Sequence, residues 1–135
     1  MITRKSLSYW SLRASLTAFV ACLALPAYTT DYYGKTSVHY GLEAFLLGPV
    51  GLFAGHFSWL ANLLLWLSWF KHTDETRGQS VVFAVLSLVL ACSFLFGKLI
   101  AVGSAGEFPY LAATGYYVWL ASMVMAAIAA FQLKE

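Results

Sequence analysis

His39 and Glu43 stand four residues apart with Asp31 before them, a set of side chains that could hold a divalent cation or act on a lipid headgroup. On a helix, His39 and Glu43 would share a face. The spacing of the three matches no defined ligand pattern, so no metal is expected. Lys98 and Glu107 complete the same polar set. Lys98 and Glu43 are expected at similar depth near two helix ends, where an ion pair would relieve both. Two further polar residues, His56 and Asn62, interrupt an apolar run. An amide inside a bilayer must find partners on a neighbouring helix or through water, so Asn62 reads first as glue between helices and second as part of a transport path. His56, set among Phe and Trp with no partner of comparable pKa close in sequence, reads first as a structural histidine.

Constellations for covalent or hydrolytic chemistry are missing. The sequence contains no HExxH, no CxxC, no phosphate-cradling glycine loop and no Ser/His/Asp set at one depth, so neither catalytic residues nor a cofactor are expected. Cys22 and Cys92 each lie inside an apolar run and read as small packed side chains rather than a disulfide framework.

The elements that must position these residues are membrane elements. Only 10% of the 135 residues are charged, against about 25% in a soluble domain. With 61% hydrophobic residues and mean hydropathy +0.73, the chain reads as an integral membrane protein. A net charge of +2, without a basic patch, is too small to suggest nucleic acid, and no nucleic-acid partner is expected.

Four transmembrane helices are expected, at about 11–28, 42–70, 80–100 and 115–131, forming an all-α antiparallel bundle in a single domain. The second is the organising stretch. At about 100° per residue, Gly48, Gly51, Gly55, Ser58 and Asn62 fall on one stripe that would let another helix approach, and Gly51 and Gly55 make a GxxxG match. Ala84, Ser87 and Ala91 form a second stripe, on which Lys98 also falls, and Ser122, Ala126 and Ala129 form a third. Residues 29–41 read as an ordered interfacial loop, 71–79 as a compact hydrophilic turn, and 102–114 as a second outer connection. Arg4, Lys5, Arg13, Lys71, Arg77 and Lys134 would lie inside and only Lys35 and Lys98 outside, which puts both termini in the cytoplasm. The basic start and short apolar stretch of the first helix make a cleaved signal peptide the rival to a retained anchor.

Gly41-Leu-Glu-Ala-Phe-Leu-Leu-Gly48, the continuation through Trp59-Leu-Ala-Asn62, and Gly115-Tyr-Tyr-Val-Trp-Leu-Ala-Ser122 resemble a group of small bacterial four-helix inner-membrane proteins. The group shares a glycine-rich second helix ending in WLANP and a final helix opening with GYYLWLAS. The resemblance spans the second to the fourth helix. It implies a bacterial inner membrane and four helices, but no activity. Leu63 stands where the group has proline, which removes the basis for a kink at that point.

The leading expectation is a non-enzymatic protein that packs against a protein partner within or beside the bilayer, as an immunity-type protein against a membrane-active toxin or as an accessory subunit. An oligomeric transporter or channel, a homo-oligomer with Asn62, His56 and Ser87 along its path, is the alternative. A membrane enzyme acting on lipid through His39, Glu43 and His56 is the third reading.

Overall fold

The computed structural model describes residues 3–101 and 106–133. It is mostly helical, with five α-helices and, in place of the expected all-α fold, a four-stranded sheet. Helix α1 (Arg4–Ala24) begins earlier than expected because the Thr3 hydroxyl caps it, accepting from the Ser6 amide at 3.2 Å. It ends earlier too. Pro26 forces Leu25 into extended backbone, at φ −101° and ψ 155°.

The chain then runs into strands β1 (Pro26–Tyr32) and β2 (Lys35–Tyr40), so the expected interfacial loop is a β-hairpin. Its turn is Tyr33-Gly34, with φ +46° and +78°, the two-residue turn whose twist suits a hairpin. Strands β3 (Leu99–Ala101) and β4 (Glu107–Ala112) come from the second outer connection, and the antiparallel order is β2-β1-β4-β3. Part of that connection, 102–105, lies outside the described residues, as does Lys134.

The expected second helix is broken into α2 (Gly41–Gly51), two 3-10 turns at Leu52–Ala54 and Phe57–Leu60, and α3 (Ala61–Phe70). Gly55 adopts left-handed backbone at φ +84° and His56 is extended. Three glycines and a proline within eight residues make this the weakest helical stretch of the run. The stripe from Gly48 to Asn62 is therefore not one helix face, and Gly51 and Gly55 are not a packing motif. Helix α4 (Arg77–Cys92) passes into a 3-10 turn at Ser93–Phe96, and α5 (Thr114–Phe131) closes the fold.

Helix α5 lies between α1 and α4, and α4 packs on α3. Phe19, Leu65, Met123, Ala84, Ala91 and Ala126 form the core, and serines tie the helices across it. Ser15 Oγ donates to the Ser122 carbonyl at 2.6 Å and accepts from Trp69 Nε1 at 3.0 Å. Ser68 and Ser80 each donate to the other's carbonyl at 2.9 Å. Such bonds, made where no water competes, cost little and fix helix register. Three helical segments, Arg4–Ala24, Arg77–Phe96 and Thr114–Phe131, are long and apolar enough to cross a membrane.

The two ends of this body differ. At one, the Ser8 hydroxyl donates to the Ala129 carbonyl at 2.8 Å and lies 3.0 Å from His72 Nε2, which gathers the start of α1, the end of α5 and the α3–α4 turn. At the other sits the sheet.

Candidate functional site

The sheet end carries a polar relay that the sequence only half predicts. His39 on β2 has Nδ1 at 2.8 Å from Glu43 Oε1 on α2 and Nε2 at 2.9 Å from Thr30 Oγ1 on β1. With Glu43 ionised, Nδ1–H donates to the carboxylate and Nε2 accepts the hydroxyl proton. The Tyr28 ring stacks on the imidazole at 4.7 Å. Burial, with Glu43 adding to it, pushes the Tyr28 phenol up to about 12.

Hydroxyl, imidazole and carboxylate stand in the order of a nucleophile, its base and its orienting group. Thr30 is 1% exposed, so a substrate has no approach to its oxygen. The relay ties β1, β2 and the start of α2 together.

This arrangement corrects the expected Glu43–Lys98 pair. The carboxylate is taken by His39, and Lys98 lies exposed just before β3, not on a helix. Asp31 does not join the set either: its Oδ1 accepts from the Gly34 amide at 3.1 Å inside the hairpin turn. Glu107 lies exposed at the start of β4. Among the described residues no three His, Cys, Asp or Glu side chains converge on a possible metal position.

Beneath the sheet, the break between α2 and α3 opens an apolar cavity of about 520 Å³, bounded also by α1 and α5. Gly48, Gly51 and Ser58 line it instead of packing against another helix, as does Asn62. Gly48 faces the Trp59 indole so closely that a Cβ there would collide with it. Asn62 is engaged at both ends of its amide: Nδ2 donates to the Trp59 carbonyl at 3.0 Å and Oδ1 accepts from Trp119 Nε1 at 2.9 Å. His56 and Ser58 line the same cavity and their side chains have no hydrogen-bond partner among the described residues.

The other small residues are enclosed within the chain. Ala84, Ser87, Ala91, Ser122 and Ala126 are all buried between its own helices, and Ser87 donates to the Ala84 carbonyl at 2.7 Å. These faces offer nothing to an outside helix.

The sequence marks Tyr32 and Tyr33 only as part of a headgroup-level aromatic belt, not as a hairpin tip. There they form an aromatic cluster with Phe108, with ring centroids 4.6 Å apart for Tyr32 and Phe108 and 4.9 Å apart for Tyr32 and Tyr33. Tyr33 is 83% exposed and adopts left-handed backbone, which costs a bulky residue about 1–2 kcal/mol. Both cysteines are free, Cys22 buried and Cys92 partly so.

Against family models, curated proteins and solved structures, the chain matches none.

Proposed function

We propose that the chain is a non-enzymatic protein of the bacterial inner membrane that crosses it four times, keeps both termini inside, and binds a protein partner with its outer sheet. The fourth crossing is the broken run from Gly41 to Phe70. Its start donates from the Gly41 amide to the Leu25 carbonyl at 2.8 Å, beside the sheet, and its end adjoins the turn that carries His72. It therefore passes from one end of the body to the other. Arg4, Lys5, Lys71 and Arg77 lie toward the His72 end and Lys35 and Lys98 at the sheet end, the asymmetry expected when the sheet faces outward.

Tyr33 carries the binding proposal. A strained, exposed aromatic at the tip of an ordered sheet has no role in the core, and strain of this kind persists where a surface must present a particular group. Aromatic side chains are also the usual anchors of protein interfaces. An immunity-type protein or an accessory subunit would meet its partner there, at the level of the headgroups.

The test compares tagged protein with its Tyr33→Asn variant, both extracted from native membranes and weighed by native mass spectrometry. A stoichiometric foreign chain that accompanies the first and not the second supports the proposal. Recovery of only this chain from both preparations contradicts it.

The helix break favours a second reading, an oligomeric transporter, because interrupted helices commonly line carrier sites. Against that reading, Asn62 and Ser87 both have their polar atoms engaged inside the chain.

A further inference from the structure

The cavity lies under the sheet, whose Ala27, Tyr28 and Ile100 close one side of it, and has its own chemistry. Its volume, about 520 Å³, falls inside the range of about 300–1,000 Å³ usual for small-molecule sites. Phe19, Phe45, Trp59 and Trp119 supply apolar wall, and the polar atoms of Asn62 and Trp119 at that wall are already bonded to each other. Leu47, Val50 and Phe53 line the cavity and are themselves exposed, Phe53 at 94%. Its mouth thus runs past the outer flank of α2 and the turn after it, which in a bilayer meets acyl chains rather than water. A hydrophobic occupant would enter from the lipid.

Besides the Tyr28 hydroxyl on the sheet side, two polar groups on the helix break remain for the occupant's head. The His56 imidazole and the Ser58 hydroxyl line the cavity without a partner inside the chain. They sit on the helix break, where the left-handed Gly55 and the bond from the His56 amide to the Gly51 carbonyl, 2.9 Å, set the backbone. Polar groups at the edge of an apolar site fix orientation and specificity.

We propose that this cavity binds a single-chain amphiphile with a small hydrogen-bonding head, of the long-chain fatty acid class. The tail lies along the aromatic wall and the head is held by His56 and Ser58. A space of about 520 Å³ suits one acyl chain rather than two. The site rests on the run from Gly41 to Phe70 lying in the bilayer, and it stands whether or not the sheet binds a protein.

The experiment uses the full chain, freed of lipid in detergent, titrated with palmitate and followed by native mass spectrometry. One saturable palmitate per chain is expected. Gly51→Leu should fill the site: a Cβ at Gly51 meets only His56, at 3.5 Å to its Cβ, which is ordinary contact, so the longer side chain extends into the cavity without moving backbone. Palmitate binding should fall at least about tenfold. The double variant His56→Ala, Ser58→Ala removes no intramolecular side-chain bond and should weaken palmitate about tenfold while leaving the melting temperature in place, so the proposal stays testable if Gly51→Leu fails to fold. Absence of an adduct on the unaltered chain, undiminished binding by the double variant, or one-to-one retention of a diacyl phosphatidylethanolamine in preference to palmitate would each overturn the proposal.

Discussion

The Trp59 indole Nε1 donates to the carbonyl of Phe45 at 2.9 Å, and Phe45 is the residue whose helical partner Pro49 removes. A proline inside a helix leaves the carbonyl four positions earlier without its amide. Trp59, on the far side of the break, supplies the missing donor. The same indole lies against Gly48, so the two arms of the broken helical run are clasped through one side chain.

Trp59→Phe keeps an aromatic ring but leaves the Phe45 carbonyl unpaired, and should cost about 1–3 kcal/mol in thermal or denaturant unfolding. In a Pro49→Ala background the alanine amide can serve the same carbonyl, so the cost of Trp59→Phe should shrink. Equal costs in the two backgrounds would show that Trp59 acts by packing alone.

Asn62→Ala removes the acceptor of Trp119 Nε1 and the donor to Trp59, and is expected to destabilise the protein by about 1–3 kcal/mol. Proteoliposomes carrying the variant should show the same ion leak as those carrying the unaltered chain. A changed flux with unchanged stability would point to the transport reading instead.

Glu43 should couple to His39 and not to Lys98. The Glu43 side chain is 42% exposed, so solvent screens the pair and the coupling energy in a Glu43→Gln, His39→Gln cycle should stay at or below about 1 kcal/mol. Glu43 and Lys98→Met should be additive. Measurable coupling to Lys98 would restore the ion pair expected from the sequence.

Burial pulls the His72 imidazole below its ordinary value of 6.5, with Asp74 partly opposing the shift. The folded state thus binds its proton less readily than the unfolded chain. Stability from the neutral ring is full above the unfolded value and is lost as pH falls through the lowered folded value. Melting temperatures measured from about pH 8 to about pH 5 should fall more for the unaltered chain than for His72→Gln. Parallel curves would show that His72 titrates without consequence.

Much of the helical body was legible because apolar length and small-residue spacing encode it directly. The α3–α4 turn follows Phe70 as read from the hydrophilic run, and the small residues of α4 and α5 lie on buried faces. The break was harder to see. Gly48, Gly51 and Gly55 fit a helical stripe by angle, yet the same glycines lower the cost of leaving the helix, and angle alone cannot weigh the two. The sheet did leave a signal. From Tyr28 to Tyr40 the chain is rich in Thr and Tyr around a Tyr-Gly turn, which is hairpin chemistry. Its pairing with β4, and the bond from the Tyr110 hydroxyl to the Phe94 carbonyl that docks β4 on the turn after α4, depend on contacts that no local pattern contains.

Partner binding depends most on the sheet facing outward, where a partner can reach it. In a chain with Cys22 and Cys92 replaced by alanine, single cysteines at Tyr33 and at Thr73 would be treated in intact spheroplasts with a membrane-impermeant maleimide. With the sheet outside, the Tyr33→Cys protein is labelled at once and the Thr73→Cys protein only after permeabilisation. Labelling of Thr73→Cys from outside, with Tyr33→Cys protected, would contradict it.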